Sequence, residues 1–270
     1  MADVRGTDLS MMNPALLRGA SSLPGGDRVL LLSVIRYPVS IQSEMVEWRM
    51  SWGHRRVAVS LRHLGYGVFD RRDEQDVKGG EFSAGDTWVT MSASQGLWRR
   101  VDIGITGGIF HSQIDNVAAS LGLVTVGSSL AIEEIDLVIG LSVRNLGATF
   151  QSYTGYEEAI PTSISMGLTK KLAHLPLEIS ADGKWWGRED RGWWRIGGEF
   201  SFPENLLLRW GFSSYRFEQR TGIVWRDITT GSSLGVAYRR GPVTVDMGFQ
   251  YAGVGGTTLG IGLSIDVGRK

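Results

Sequence analysis

The sequence predicts an all-β fold, a closed antiparallel transmembrane β-barrel of about fourteen strands over 28–270, with a segment of different character over 1–27. Three observations predict it. Strand-like runs recur roughly every 12 to 20 residues between Arg28 and Lys270. Within them, large apolar side chains alternate with Gly, Ser, Thr or charged ones, a period of two that belongs to strands. Their connections also sort by length, tight at one end of the strands and long at the other, as in bacterial outer-membrane barrels.

The leading segment, Met1 to Gly26, does not alternate. Asn13-Pro14 marks a turn, and Ala15-Leu16-Leu17 suits a short helical turn with Pro14 at its first position. Taken alone, such a segment fits a lumen plug or a free tail equally well. The start, Met1-Ala2-Asp3-Val4-Arg5, carries no apolar signal-peptide core, so an exported barrel implies a leader already removed or a start codon placed too late.

The strands follow. Val46, Trp48, Met50 and Trp52 alternate with Glu47, Arg49 and Ser51, and Val101, Ile103 and Ile105 with Asp102, Gly104 and Thr106. At the end of the chain, Val243, Val245, Met247, Phe249 and Tyr251 share one face, as do Leu259, Ile261, Leu263, Ile265 and Val267. Val245, Met247, Phe249, Ile261 and Leu263 are therefore assigned to lipid. Tight connections are expected around Gly53-His54-Arg55, Gly96 to Arg100, Ser128 to Glu133, Leu172 to Pro176, Phe202-Pro203-Glu204 and Arg240-Gly241-Pro242. Long loops are expected over Tyr66 to Asp86, Ala148 to Pro161 and Tyr215 to Thr230. A soluble sandwich also alternates, but it carries Lys and Glu on its outer face. Here one face carries large apolar residues on nearly every strand, and Gly is abundant (37 residues).

Acidic and basic residues are equal, 28 of each, which removes the electrostatic case for nucleic acid. Cysteine is absent, so disulfides and thiolate metal sites are excluded. Ten tryptophans, among them Trp48, Trp52, Trp88, Trp98, Trp185, Trp186, Trp193, Trp194 and Trp210, suit the interfacial girdles of a barrel.

Alternation assigns Glu47, Asp102, Asp136, Glu178, Asp182, Glu199, Asp246 and Asp266 to the lumen, with Arg49, Arg62, Arg144, Lys184, Arg195, Arg209 and Arg239. A lining of one sign would suit an ion-selective pore. Interleaved signs suit pairing across the lumen that stiffens a filled barrel. No cofactor or metal is expected: His54, His63, His111 and His174 are scattered, and no Gly-x-Ser-x-Gly elbow occurs. Gly-Gly-Glu-Phe occurs at Gly79 and again at Gly197, but a nucleotide cyclase needs it inside an α/β domain, and no helical period is present. Nothing nominates an enzyme.

Asn13-Pro14-Ala15 ahead of about fourteen strands resembles the FadL-type outer-membrane channels, in which that tripeptide lies in an N-terminal hatch. Leu64 to Asp70, Gly79 to Asp86 and Gly140 to Gly147 are similar to segments of the PorV/PorQ branch of the type IX secretion system, most of all to the PorQ-like proteins. The resemblance implies a hatch over 1–27 and a non-enzymatic outer-membrane barrel that anchors or shuttles proteins at the cell surface. Its partners would be outer-membrane lipid and a surface or periplasmic protein. The partner surface would lie on the long loops, at Asp70, Glu81, Phe82, Asp86, Tyr153, Tyr156 and Trp225. The rival is a FadL-type passive transporter of hydrophobic small molecules, with lipid or detergent able to enter the lumen. An apolar pocket beside the hatch would favour the rival; a lumen filled by ion pairs would favour the anchor.

Overall fold

The computed structural model describes residues 9–19, 27–156, 159–187, 191–214 and 222–268. The expected closed barrel is present, and the described residues form fourteen antiparallel strands. They are β1 (Arg28–Arg36), β2 (Gln42–Trp52), β3 (Arg55–Arg72), β4 (Lys78–Trp98), β5 (Val101–Ile114), β6 (Val117–Ile132) and β7 (Leu137–Gln151). The circuit continues through β8 (Ser163–Lys171), β9 (Leu177–Trp186), β10 (Arg191–Ser201), β11 (Leu206–Ser213), β12 (Ser232–Arg240), β13 (Val243–Tyr251) and β14 (Thr257–Asp266). It closes where Val29 of β1 pairs with Asp266 of β14, so every strand has a neighbour on both sides. The described residues also hold three short α-helices, α1 (Leu9–Met12), α2 (Leu16–Gly19) and α3 (Val224–Thr229), beside single 3-10 turns in the connections. None is long and apolar enough to cross a membrane.

The outer surface is apolar where the strands span. Val46, Leu61, Val89 and Ile109 form one lateral row and are all exposed on the isolated chain. Val245, Met247, Phe249 and Ile261 are exposed in the same way, and Leu263 shares their face. A polar row then crosses the outside of β2 to β6: Glu44, His63, Thr87, His111 and Ser120 are successive cross-strand neighbours. His63 Nδ1 lies 3.0 Å from Thr87 Oγ1, and His111 Nδ1 lies 2.9 Å from Ser120 Oγ. Toward the short turns, Arg55 Nε donates to Gln95 Oε1 at 2.8 Å. From Arg55 to His63 the strand rises about 26 Å. Tilted at the usual 35–45°, that is roughly 20 Å of apolar belt, close to what an outer-membrane barrel presents.

The long-loop end differs from expectation. Tyr66 to Asp86 is not a loop. β3 and β4 stay paired beyond the polar row as far as Arg72 and Lys78, and only Asp73 to Val77 turn. Hairpin pairing satisfies the backbone groups that a loop would have to offer to water. The tight turns fall where expected, with two boundaries shifted: β4 runs on to Trp98, and β6 to Ile132. Asp136, assigned to the lumen by alternation, ends that second turn in the left-handed region (φ 49°) and is exposed.

Of five register shifts among the described strand pairs, two bear on the lumen. Gly65 pairs with Gly85 but Gly67 pairs with Ala84, so Tyr66 is an extra residue in β3. Gly67 accepts the positive φ (93°) that this needs. Tyr66 and Phe69 consequently share the inner face, while Val68 is 67 % exposed. In β7 the register steps from Val143 to Leu146 against Val126 and Val124, with Asn145 at φ 58°.

Candidate functional site

The short-turn half of the lumen holds residues 9–19. Ser10 is fully buried, its hydroxyl donates to Glu47, and its carbonyl accepts from Thr106 Oγ1 at 2.5 Å. Asn13 does two things at once. Its Oδ1 accepts from the Ala15 amide at 3.1 Å, holding the turn, and its Nδ2 donates to the wall carbonyls of Ser128 (3.1 Å) and Leu141 (3.3 Å). Pro14 and Ala15 are fully buried. The wall makes room with glycines: a Cβ on Gly104 would stand 2.5 Å from the Ala15 nitrogen, and one on Gly127 would overlap Asn13 Oδ1. Arg18 pairs with Asp102 (2.9 Å) and donates to the His54 carbonyl.

Above this segment lies a cavity of about 240 Å³. Met11 and Met12 of α1 meet Arg62, Trp88, Arg144 and Asn145 there. Arg62 sits 5.7 Å from the Trp88 ring and donates to Ser43 Oγ at 3.1 Å. Trp88 therefore faces the lumen, not the interfacial girdle proposed for it. Trp186 and Trp193 turn inward likewise. Lys184 lies 4.3 Å from the Trp186 ring and Arg195 lies 4.3 Å from the Trp193 ring. Trp185 and Trp194, one residue out of phase, are exposed on the outside.

A larger cavity of about 610 Å³ opens at the long-loop end, between the extended β3 to β6 wall and residues 152–153 and 159–161. Phe69, Phe82, Phe110, Ile114, Leu121 and Ile160 give it an apolar lining. Phe69 and Phe82 stack at 5.4 Å. Its polar floor is one carboxylate. Asp86 accepts from the Tyr66 hydroxyl (2.6 Å) and from Ser112 Oγ, and Tyr153 donates in turn to Ser112. Asp86 is 8 % exposed.

Across the lumen, ion pairs line the inner face of the shorter strands. Arg209 of β11 donates to Glu199 of β10 (2.6 Å) and to Asp246 of β13. It can cross β12 because its neighbour there is Gly235, which leaves the space empty. Arg195 grips Asp182 at 2.9 and 2.6 Å. Arg239 faces the lumen beside Thr244, its cross-strand neighbour. Arg49 donates to Glu47, both buried.

The residues assigned to loops divide. Asp86 is a buried strand residue, and Phe82 and Tyr153, both half-buried, line the outer cavity. Asp70 and Glu81 sit on the projecting hairpin, where both bind Lys78 (2.7 and 3.0 Å). The hydrogen bond with Asp70, then that with Glu81, holds the Lys78 ammonium above its ordinary pKa. Tyr156 (81 %) and Trp225 (79 %), the latter on α3, are open to solvent. The sequence reading missed the outer cavity because the Tyr66 bulge is what brings Phe69 inward. The signal was Gly65-Tyr66-Gly67, a pair of glycines inside a strand.

Solved structures share this architecture. The chain is similar to the Pseudomonas putida toluene transporter TodX, with TM-score 0.65 at 11% identity over 96% of this chain and 93% of that one. It is similar to the Ralstonia pickettii toluene transporter TbuX (0.63, 12% identity, 96% and 92%). A Pseudomonas aeruginosa FadL homologue aligns at 0.58 and 11% identity over 96% and 94%. No family model matches the chain, and no curated protein matches it. At these identities the likeness establishes a FadL-type barrel fold, and it gives the PorV/PorQ branch no support.

Proposed function

We propose that this barrel lets small hydrophobic molecules pass across a bacterial outer membrane, without chemistry. The observation that carries the reading is the 610 Å³ outer cavity. Its size and apolar lining suit a small ligand, and a second cavity beneath it ends on Met11 and Met12. Residues 9–19, fixed to the wall by Asn13, serve in this reading as the hatch that stops leakage of water. The fold shared with toluene transporters supports it. Purified protein in lipid vesicles is expected to speed entry of toluene above the rate of empty vesicles and to leave entry of glucose unchanged. Equal toluene rates with and without the protein would refute the reading.

Capture of a protein partner is a second reading, favoured by one observation: the β3–β4 hairpin projects past the polar row as far as Arg72 and Lys78. Replacing only Asp73 to Val77 tests it, because those residues lie outside the cavity. Loss of co-purifying proteins with toluene entry intact would support the partner role.

A further inference from the structure

We infer that the outer cavity takes an apolar molecule carrying a protonated amine, with Asp86 as its counter-ion, and turns away molecules carrying a carboxylate. This rests on the transport reading of the same cavity. Among the described residues, the lining contains one charged group, Asp86, and no Lys, Arg or His. Its hydrogen-bond partners there are neutral hydroxyls, from Tyr66 at 2.6 Å and from Ser112. They satisfy the carboxylate's geometry without cancelling its charge. Each carboxylate oxygen keeps a lone pair for one further donor. In an apolar cavity a negative charge is screened far less than in water, so it attracts a cation and repels an anion strongly. The surrounding rings add to this. Tyr66, Phe69, Phe82, Phe110 and Tyr153 all line the cavity, and aromatic faces attract ammonium groups. The inner cavity has the opposite sign, with Arg62 and Arg144 in its lining, so the cation preference belongs to the outer cavity alone.

The test uses the whole protein in an uncharged detergent at neutral pH and three ligands with one ring: benzylammonium, benzyl alcohol and benzoate. Titration calorimetry should find benzylammonium at least about tenfold tighter than benzyl alcohol, and benzoate weakest. Asp86→Asn should erase the preference for the ammonium and bring benzoate level with the alcohol. Equal binding of all three, benzoate tightest, or an unchanged ranking in Asp86→Asn overturns the counter-ion role. If toluene still enters vesicles in those cases, the transport reading survives. No binding by any of the three, with no toluene entry, overturns both. Should Asp86→Asn not fold, the ranking in the unaltered protein decides.

Discussion

Strands β3 to β7 run 14 to 21 residues, whereas β8 to β14 run 8 to 11. Both stretches repeat the same inward and outward alternation, yet they use the inner face differently. The tall wall lines its lumen side with glycines, small hydroxyls and aromatic rings, and it meets residues 9–19 and both cavities. The short wall fills its side with Arg209, Glu199, Asp246, Arg195 and Asp182, paired strand to strand. One barrel thus divides into a wall that leaves space beside residues 9–19 and a wall whose inner face carries paired charges. The difference teaches that a balanced count of lumen charges does not decide between a filled barrel and a passage. Their placement does: ion pairs on one side can hold the barrel rigid while the other side stays open.

The largest expected effect tests the short wall. Arg209→Ala removes the cation that the buried Glu199 and Asp246 share and should cost about 3–5 kcal/mol, as breaking a buried ion network does. Urea unfolding in lipid vesicles measures it, and a loss below about 1 kcal/mol would remove the stiffening role. Next is the outer belt. Ile261→Arg should cost about 2–4 kcal/mol by the same measurement, the usual penalty for a cation facing mid-membrane lipid. A variant as stable as the parent contradicts the face assignment. Smaller again is Asn13→Ala. It removes two hydrogen bonds to the tall wall, each worth about 1 kcal/mol. The barrel should stay folded while protease cuts residues 9–19 faster; unchanged cleavage would mean that Asn13 does not anchor them. Least of all is Lys78→Ala at the projecting tip, where solvent screens the pairs with Asp70 and Glu81. The raised folded-state pKa means that the pairing is fully present below the ordinary Lys value and fades only as pH rises through the folded one. At neutral pH this variant should match the parent in stability, and a measurable loss would show that the hairpin tip matters to the fold.

Much of the fold was legible. The alternation of Leu259 to Val267 and the turn at Arg240-Gly241-Pro242 announced the barrel, because lipid and lumen impose opposite chemistry on successive residues. The lumen charges Glu47, Arg49, Glu199, Arg209 and Asp246 also followed from that parity. What could not be read was where parity resets. A bulge adds one residue, and its trace in β3 is the pair Gly65 and Gly67, so Phe69 counts as outward until the register is known. Trp88, Trp186 and Trp193 were misassigned for a related reason. Tryptophan suits a lipid interface, but beside Arg62, Lys184 and Arg195 it also suits a wet lumen as a face for cations. The three segments that carried the secretion-family resemblance lie in β3, β4 and β7, all on the tall wall. Gly140 and Asp86 there serve the packing of Asn13 and the floor of the outer cavity. Such motifs therefore report the shape of a wall and of the segment it holds.

The division between the two walls is tested most directly by toluene entry into vesicles carrying one of two variants. Ala119, 6 % exposed, lines the outer cavity, and Ala119→Trp fills part of that space; Arg195→Gln breaks an ion pair on the short wall. With both variants folded, judged by the heat-dependent shift in gel mobility of an intact barrel, Ala119→Trp is expected to fall to the rate of empty vesicles and Arg195→Gln to keep the parent rate. Parent-like entry through Ala119→Trp, or loss of entry in Arg195→Gln alone, would contradict the account.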